Sequence, residues 1–231
     1  MDGTTSPISL FCVPHAGGDA WVFSKWSKIL SPIKVVPLVL PGRGNYSDLH
    51  VDTFQVLVNH CVSQYMRNSD SLNNAMLFGH SMGAIVAFEM ARQLQQQGFN
   101  IRRLFVSGMI PPAHWKTDNL SSLPDEELLG NLHKLGGLQD EALRDPVWIN
   151  YFIPIIRYDL RLCENYQFRP GSLLKCPISV LSGSADEACP TDNLDGWSSY
   201  TSNQTTINIF DGGHFSIYEQ ESLLKNIFFM N

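Results

Sequence analysis

Two kinds of hydrophobic pattern alternate along this chain. Short continuous apolar runs at Ile8 to Val13, Lys34 to Leu40, Ala75 to Phe78, Leu104 to Ser107, Pro177 to Ser182 and Thr205 to Phe210 have the length and β-branched content of strands covered on both faces. Pro37 interrupts the second of these runs. Between them lie longer stretches whose apolar residues recur every three or four positions, which is helical spacing. These are Ala20 to Leu30 (Trp21, Phe23, Trp26, Ile29), Thr53 to Met66 (Phe54, Leu57, Val58, Cys61, Val62, Tyr65), Met82 to Gln97 before Gly98, and Tyr218 to about Met230. Strands and helices in alternation, joined by right-handed crossovers, build a parallel sheet between two helix layers. The pattern therefore predicts an α/β protein.

The alternation stops between Pro111 and Gly171, where only helical segments are predicted. One spans Pro124 to Leu135, with Ser122 or Asp125 as caps, and another opens at Asp145-Pro146 and runs toward Tyr166, with a kink expected at Pro154. This stretch reads as an inserted helical lid. Most of its large apolar residues serve a small core of its own, and some line a chamber beneath it. Without repeats, linkers or low-complexity tracts, residues 1–231 read as a single domain carrying the lid at 111–171.

At Leu77-Phe78-Gly79-His80-Ser81-Met82-Gly83-Ala84 a strand, which a turn at Asn73 and Asn74 introduces, ends on a glycine-flanked serine and a helix starts at once. Gly-x-Ser-x-Gly in that setting is a nucleophile elbow, in which the glycines remove side chains that would collide and the hydroxyl is lifted clear of the sheet. A serine hydroxyl needs a base within hydrogen-bond reach and a third group to hold that base in the right tautomer. His214, in a Gly-Gly-His-Phe loop after the last strand, comes to the same sheet edge as Ser81 and is the candidate base. His80 should point away from the hydroxyl, and His50, His60, His114 and His133 lie away from strand ends. Asp186, in a tight Gly-containing turn after a strand, is the candidate acid, and it completes the order serine, acid, histidine. Asp211 reads as a turn residue, and Asp159 and Glu187 are weaker rivals. Oxyanion donors are expected from the Met82 N–H, after the nucleophile, and from the Ala16 N–H in the loop Pro14-His15-Ala16-Gly17-Gly18.

Composition narrows the remaining classes. The formal net charge of −6 is spread along the chain without a basic cluster, which argues against nucleic acid as a partner. The polar Met1 to Pro7 stretch and the brevity of Ile8 to Val13 argue against a signal peptide or membrane span, and a cytoplasmic protein is expected. Five irregularly spaced cysteines without a CxxC pair suggest reduced, mostly buried thiols in place of disulfides or zinc. No GxGxxG or GK[ST] is present, so no nucleotide cofactor is implied, and no metal either.

With these residues placed, the chain resembles the type II thioesterases of modular polyketide and nonribosomal peptide synthases, a branch of the α/β-hydrolases. The likeness rests on Phe11 to Gly18, Leu40-Pro41-Gly42-Arg43-Gly44, Phe78 to Ala84, Gly183-x-x-Asp186 and Gly212-Gly213-His214-Phe215. It implies an α/β-hydrolase fold with a mobile helical lid, and hydrolysis of acyl groups from the phosphopantetheine arm of acyl- or peptidyl-carrier proteins; a monomer is expected. Arg43 could contact the carrier's phosphate, or equally tie its loop to a carboxylate or a backbone carbonyl. The alternatives are a carboxylesterase, a product-releasing medium-chain acyl-carrier thioesterase and, more remotely, a non-catalytic binding protein with the hydrolase fold.

Overall fold

The computed structural model describes residues 8–68, 74–115 and 119–229. Six strands, β1 (Ser9–Val13), β2 (Lys34–Pro37), β3 (Ala75–His80), β4 (Ile101–Ser107), β5 (Ile178–Gly183) and β6 (Thr205–Phe210), form one sheet in the order β2-β1-β3-β4-β5-β6. Every neighbouring pair is parallel. A parallel sheet needs helices on both faces, and the inner strands show why: all residues of β1, β3 and β5 are buried.

Successive side chains on each strand enter opposite cores. Phe11, Val13, Leu77, Leu104, Val106 and Val180 join one cluster, roofed by α2 (Phe54–Met66) and α3 (Met82–Gln96). Leu10, Cys12, Met76, Phe78, Phe105 and Leu181 join the other, closed by Trp26 of α1 (Trp26–Ile29) and by Leu224, Ile227 and Phe228 of α6 (Glu221–Phe229). The Thr53 hydroxyl caps α2 by accepting the Val56 N–H. All five cysteines are unpaired and buried.

Several boundaries differ from expectation. β2 and β6 are edge strands and only half-buried, and Pro37 is tolerated at the end of β2 because its missing N–H would face away from β1, while the next residue still donates, Leu38 N–H to Cys12 O at 2.8 Å. The helix expected over Ala20 to Leu30 divides into a 3-10 turn, Ala20–Phe23, and the short α1. The chain's last helical stretch likewise begins as a 3-10 turn, His214–Glu219, before α6. Asn73, Met230 and the Met1 to Pro7 stretch lie outside the described residues.

Between β4 and β5 the described residues hold no strand within 111–171. They form α4 (Asp125–Lys134), α5 (Pro146–Glu164) and short 3-10 turns. Asp145 caps α5 by accepting from Val147 N and Trp148 N, Pro146 occupies the first turn, and the helix continues through Pro154. On the inner side of α5, Ile153, Ile156, Asp159, Leu162 and Cys163 are buried. An aspartate in that row is the anomaly.

Candidate active site

β3 turns into α3 within a single residue, and that residue is Ser81 at φ 56°, ψ −125°, a conformation strained for any residue with a Cβ. Its N–H donates to Ser107 O at 2.8 Å, and its C=O accepts the Ala84 N–H at 2.8 Å. A Cβ on Gly79 would stand 1.9 Å from Gly83 O, and one on Gly83 would stand 2.4 Å from Pro14 O and Val13 O. Both elbow glycines therefore exclude a side chain because backbone passes too close. The second contact also presses the elbow against the end of β1.

The turn after β5 and the loop after β6 are stitched together by Ser184 N–H to Phe210 O at 2.8 Å and Ala185 N–H to Gly212 O at 2.9 Å. This brings Asp186 and His214 into contact, with His214 Nδ1 2.8 Å from Asp186 Oδ2 and both side chains buried. The other oxygen, Oδ1, accepts from Ala188 N at 3.0 Å and Cys189 N at 3.1 Å. Such bonds fix the carboxylate in place. His214 Cε1 lies 3.1 Å from where a Gly108 Cβ would be, beside the Ser107 carbonyl that holds Ser81. The elbow serine and the His214–Asp186 pair thus stand at the same carboxyl edge of the sheet, although Ser81 Oγ makes no hydrogen bond among the described residues. Met82 opens α3, where an N–H has no partner inside the helix. Ala16 sits in the loop after β1, and its N–H has no hydrogen-bond partner among the described residues.

The rivals go elsewhere. Asp211 is exposed, and its carbonyl, not its carboxylate, accepts from Gln220 Nε2 at 3.0 Å. Glu187 is exposed, and Asp159 points into the protein, where it accepts from Gly17 N–H and pairs with Arg43. Burial raises the Asp159 carboxyl to about 6, against the downward pull of Arg43 and of the Gly17 N–H. Arg43 is itself buried and ties its loop to this carboxylate, one of the two roles open to it from sequence alone.

Two further histidines pack around His214. His80, fully buried with its ring centroid 4.7 Å from that of His214, has Nδ1 3.1 Å from Ser107 Oγ. His15 Nδ1 lies 2.8 Å from the Tyr218 hydroxyl. Desolvation first, then the neighbouring histidines, lowers His80 well below 6.5, and desolvation with His214 and Arg43 lowers His15. Sequence reasoning missed the Tyr218, His80 and Asp159 contacts. For Asp159 a signal existed in its position on the buried stripe of an amphipathic helix.

Two adjoining clefts open on the site. One of about 360 Å³ is lined by Lys134, Ala185, Glu187 and His214, and one of about 610 Å³ runs between the Ala16–Gly18 loop and Trp148, Phe152 and Ile156 of α5. A larger groove of about 770 Å³, beside α2 and α3, touches none of the candidate catalytic residues. Among the described residues no cluster of three or more His, Cys, Asp or Glu could hold a metal ion, and no helix is long and apolar enough to cross a membrane.

The thioesterase-domain family model matches residues 8–229. This chain belongs to that family. It is 31% identical over 222 residues to the gramicidin S biosynthesis protein GrsT of Aneurinibacillus migulanus, covering 94% of this chain and 86% of that protein. Among solved structures it superposes on RedJ, a thioesterase from the prodiginine biosynthetic pathway of Streptomyces coelicolor, with TM-score 0.90, 31% identity and coverage of 98% and 91%. It also superposes on the type II thioesterase BorB from the borrelidin biosynthetic cluster, with TM-score 0.87, 32% identity and coverage of 96% and 91%. The fold is that of the thioesterase branch of the α/β-hydrolases, as the sequence led us to expect, and the chain is a thioester hydrolase.

Proposed function

We propose that this thioesterase is a type II, editing enzyme that clears acyl groups from the phosphopantetheine arms of acyl- or peptidyl-carrier proteins, in a pathway making a polyketide or nonribosomal peptide. The observation that carries the reading is Ser81, on its strained elbow, at the same sheet edge as the buried His214–Asp186 pair, in a chain about 31% identical over nearly its whole length to thioesterases such as RedJ of the prodiginine pathway.

His214 Nε2 takes the Ser81 proton as Oγ attacks the thioester carbonyl, and the Met82 and Ala16 N–H groups stabilise the oxyanion. Collapse of the intermediate expels the pantetheine thiolate, which takes the proton from His214 and leaves acyl-Ser81. Water then attacks the acyl-enzyme with His214 as base, releasing the acid and restoring the Ser81 hydroxyl. Asp186 holds the imidazole with Nδ1 protonated throughout. Residues 111–171 act as the lid of a single-domain monomer working in the cytoplasm, with no part for nucleic acid or membrane. The clefts under α4 and α5 admit the pantetheine arm and the acyl group.

The test is turnover of S-acetyl-pantetheine and acetyl-carrier protein, beside an acetyl oxygen ester, by the wild type and Ser81→Ala. Thioester preference that vanishes in Ser81→Ala with the fold intact is expected. Preference for the oxygen ester, or turnover retained in the variant, would overturn the proposal.

A further inference from the structure

Asp159 lies on α5, far in sequence from every candidate catalytic residue, yet it holds the loop that carries Ala16. The Gly17 N–H donates to Asp159 Oδ2 at 2.7 Å, and Arg43 Nη2 donates to the same oxygen. One carboxylate oxygen therefore joins three segments: the loop after β1, the loop after β2, and α5. A second contact converges on the same glycine. Gly17 has φ +79°, and a Cβ there would stand 2.4 Å from Ile156 Cγ1, so α5 rests directly on the loop backbone. Ile156 and Asp159 are three residues apart and share a helix face.

The backbone geometry shows what this contact controls. His15 O accepts the Gly18 N–H at 2.9 Å, closing a four-residue turn, and a positive φ at its third residue, Gly17, is the mark of type II. In a trans peptide the C=O and N–H point in opposite directions. The bond to the His15 carbonyl therefore turns the Ala16 N–H outward from the turn. Types I and II differ by a flip of the central peptide, here Ala16–Gly17, and that peptide's N–H is the one Asp159 accepts.

We infer that Asp159, charge-paired with Arg43, is a positioning residue of the oxyanion hole: through the Gly17 N–H it anchors the His15–Gly18 turn, and so the place of the outward Ala16 N–H, and makes that anchoring depend on α5 being seated. The inference rests on the catalytic reading above for the role of Ala16. When α5 moves away the acceptor leaves with it, and the turn loses what fixes its central peptide. Seating of α5 and completion of the oxyanion hole are then one event.

Replacing Asp159 alone would strand a buried guanidinium, so two charge-free pairs are compared in the full chain. Arg43→Gln with Asp159→Asn keeps a side-chain oxygen for Gly17, whereas Arg43→Leu with Asp159→Leu keeps none. Three readouts apply: kcat and KM for S-acetyl-pantetheine, affinity for a trifluoromethyl ketone analogue of the thioester, and hydrogen exchange of the Gly17 amide by NMR.

Loss of a whole oxyanion donor costs about 10²–10³ in kcat. A misaligned donor should cost the leucine pair about 10–100-fold, with KM within about threefold. Analogue affinity should fall in parallel and Gly17 exchange should quicken at least about tenfold. The Gln/Asn pair should stay within about threefold of wild type on every readout. Unchanged Gly17 exchange in the leucine pair, or a kcat within threefold of wild type, overturns the positioning role. Equal losses in both pairs overturn it too, because they would follow the charge and not the acceptor. Turnover retained in Ser81→Ala would overturn the catalytic reading, while Gly17 exchange reports on the turn lock whatever the chemistry.

Discussion

Asp186→Asn isolates the tautomer requirement at the proposed base, because the structure dictates which way the new amide must face. Asp186 Oδ1 accepts two backbone N–H groups, from Ala188 and Cys189, while Oδ2 faces His214 Nδ1. An asparagine keeps the first pair only by retaining oxygen there, which directs its NH2 at Nδ1. His214 Nδ1 must then accept, its proton moves to Nε2, and Nε2 can no longer take a proton from Ser81. The flipped amide would restore the working tautomer at the cost of setting its NH2 against the Ala188 and Cys189 N–H donors, about 1–3 kcal/mol each. At 1.4 kcal/mol per decade, 2–6 kcal/mol leaves the active arrangement at between about one part in 30 and one part in 10⁴. Steady-state hydrolysis of S-acetyl-pantetheine, read by thiol release, should thus fall about 30- to 10⁴-fold in kcat. The melting temperature should change little, since every buried bond finds a counterpart. Asp211→Asn, the exposed rival, should stay within twofold. A kcat for Asp186→Asn within tenfold of wild type, or a larger loss in Asp211→Asn, would refute the assignment.

Ser81 at φ 56° carries strain of about 1–3 kcal/mol, against about 0.5–1 kcal/mol for the extra freedom of an unfolded glycine. Ser81→Gly should therefore unfold about 1 kcal/mol later in urea than wild type and Ser81→Ala should not; equal stability of the three would remove the strain argument. Acid should destabilise the fold. His80 and His15 take up protons in the unfolded chain near pH 6.5 but only at much lower pH when folded, so their contribution is present above pH 6.5 and is lost as pH falls, at up to about 1.4 kcal/mol per unit for each. His15 is only partly buried, which leaves the fully buried His80 the larger share. Asp159, raised to about 6, acts the other way between pH 6 and 3.8. Unfolding free energy should drop by about 1 kcal/mol between pH 6.5 and 5.5, and the slope should shrink in His80→Asn; a flat profile would contradict the burial of these rings.

The strand and helix order, the elbow at Ser81, the meeting of His214 with Asp186 and the family of the chain were legible in the sequence, because each depends on local pattern and on the handedness of crossovers. Six apolar runs separated by helical periodicity leave little choice but a parallel sheet, and such a sheet delivers its carboxyl-end loops to one edge. Gly79 and Gly83 were readable as glycines that must be there, though only the folded chain shows that the obstacle at Gly83 is the backbone at the end of β1, at Val13 and Pro14. Edge status was not legible: β2 and β6 carry apolar residues like the inner strands, and only the sheet order leaves them half-covered. Nor could sequence alone show why Asp159 stands among the buried residues of α5. Its partners, Gly17 and Arg43, lie 142 and 116 residues away. Pattern along the chain reports which face of a helix is buried, but a charge on that face is explained only by what packing brings against it, and that is decided by the tertiary structure.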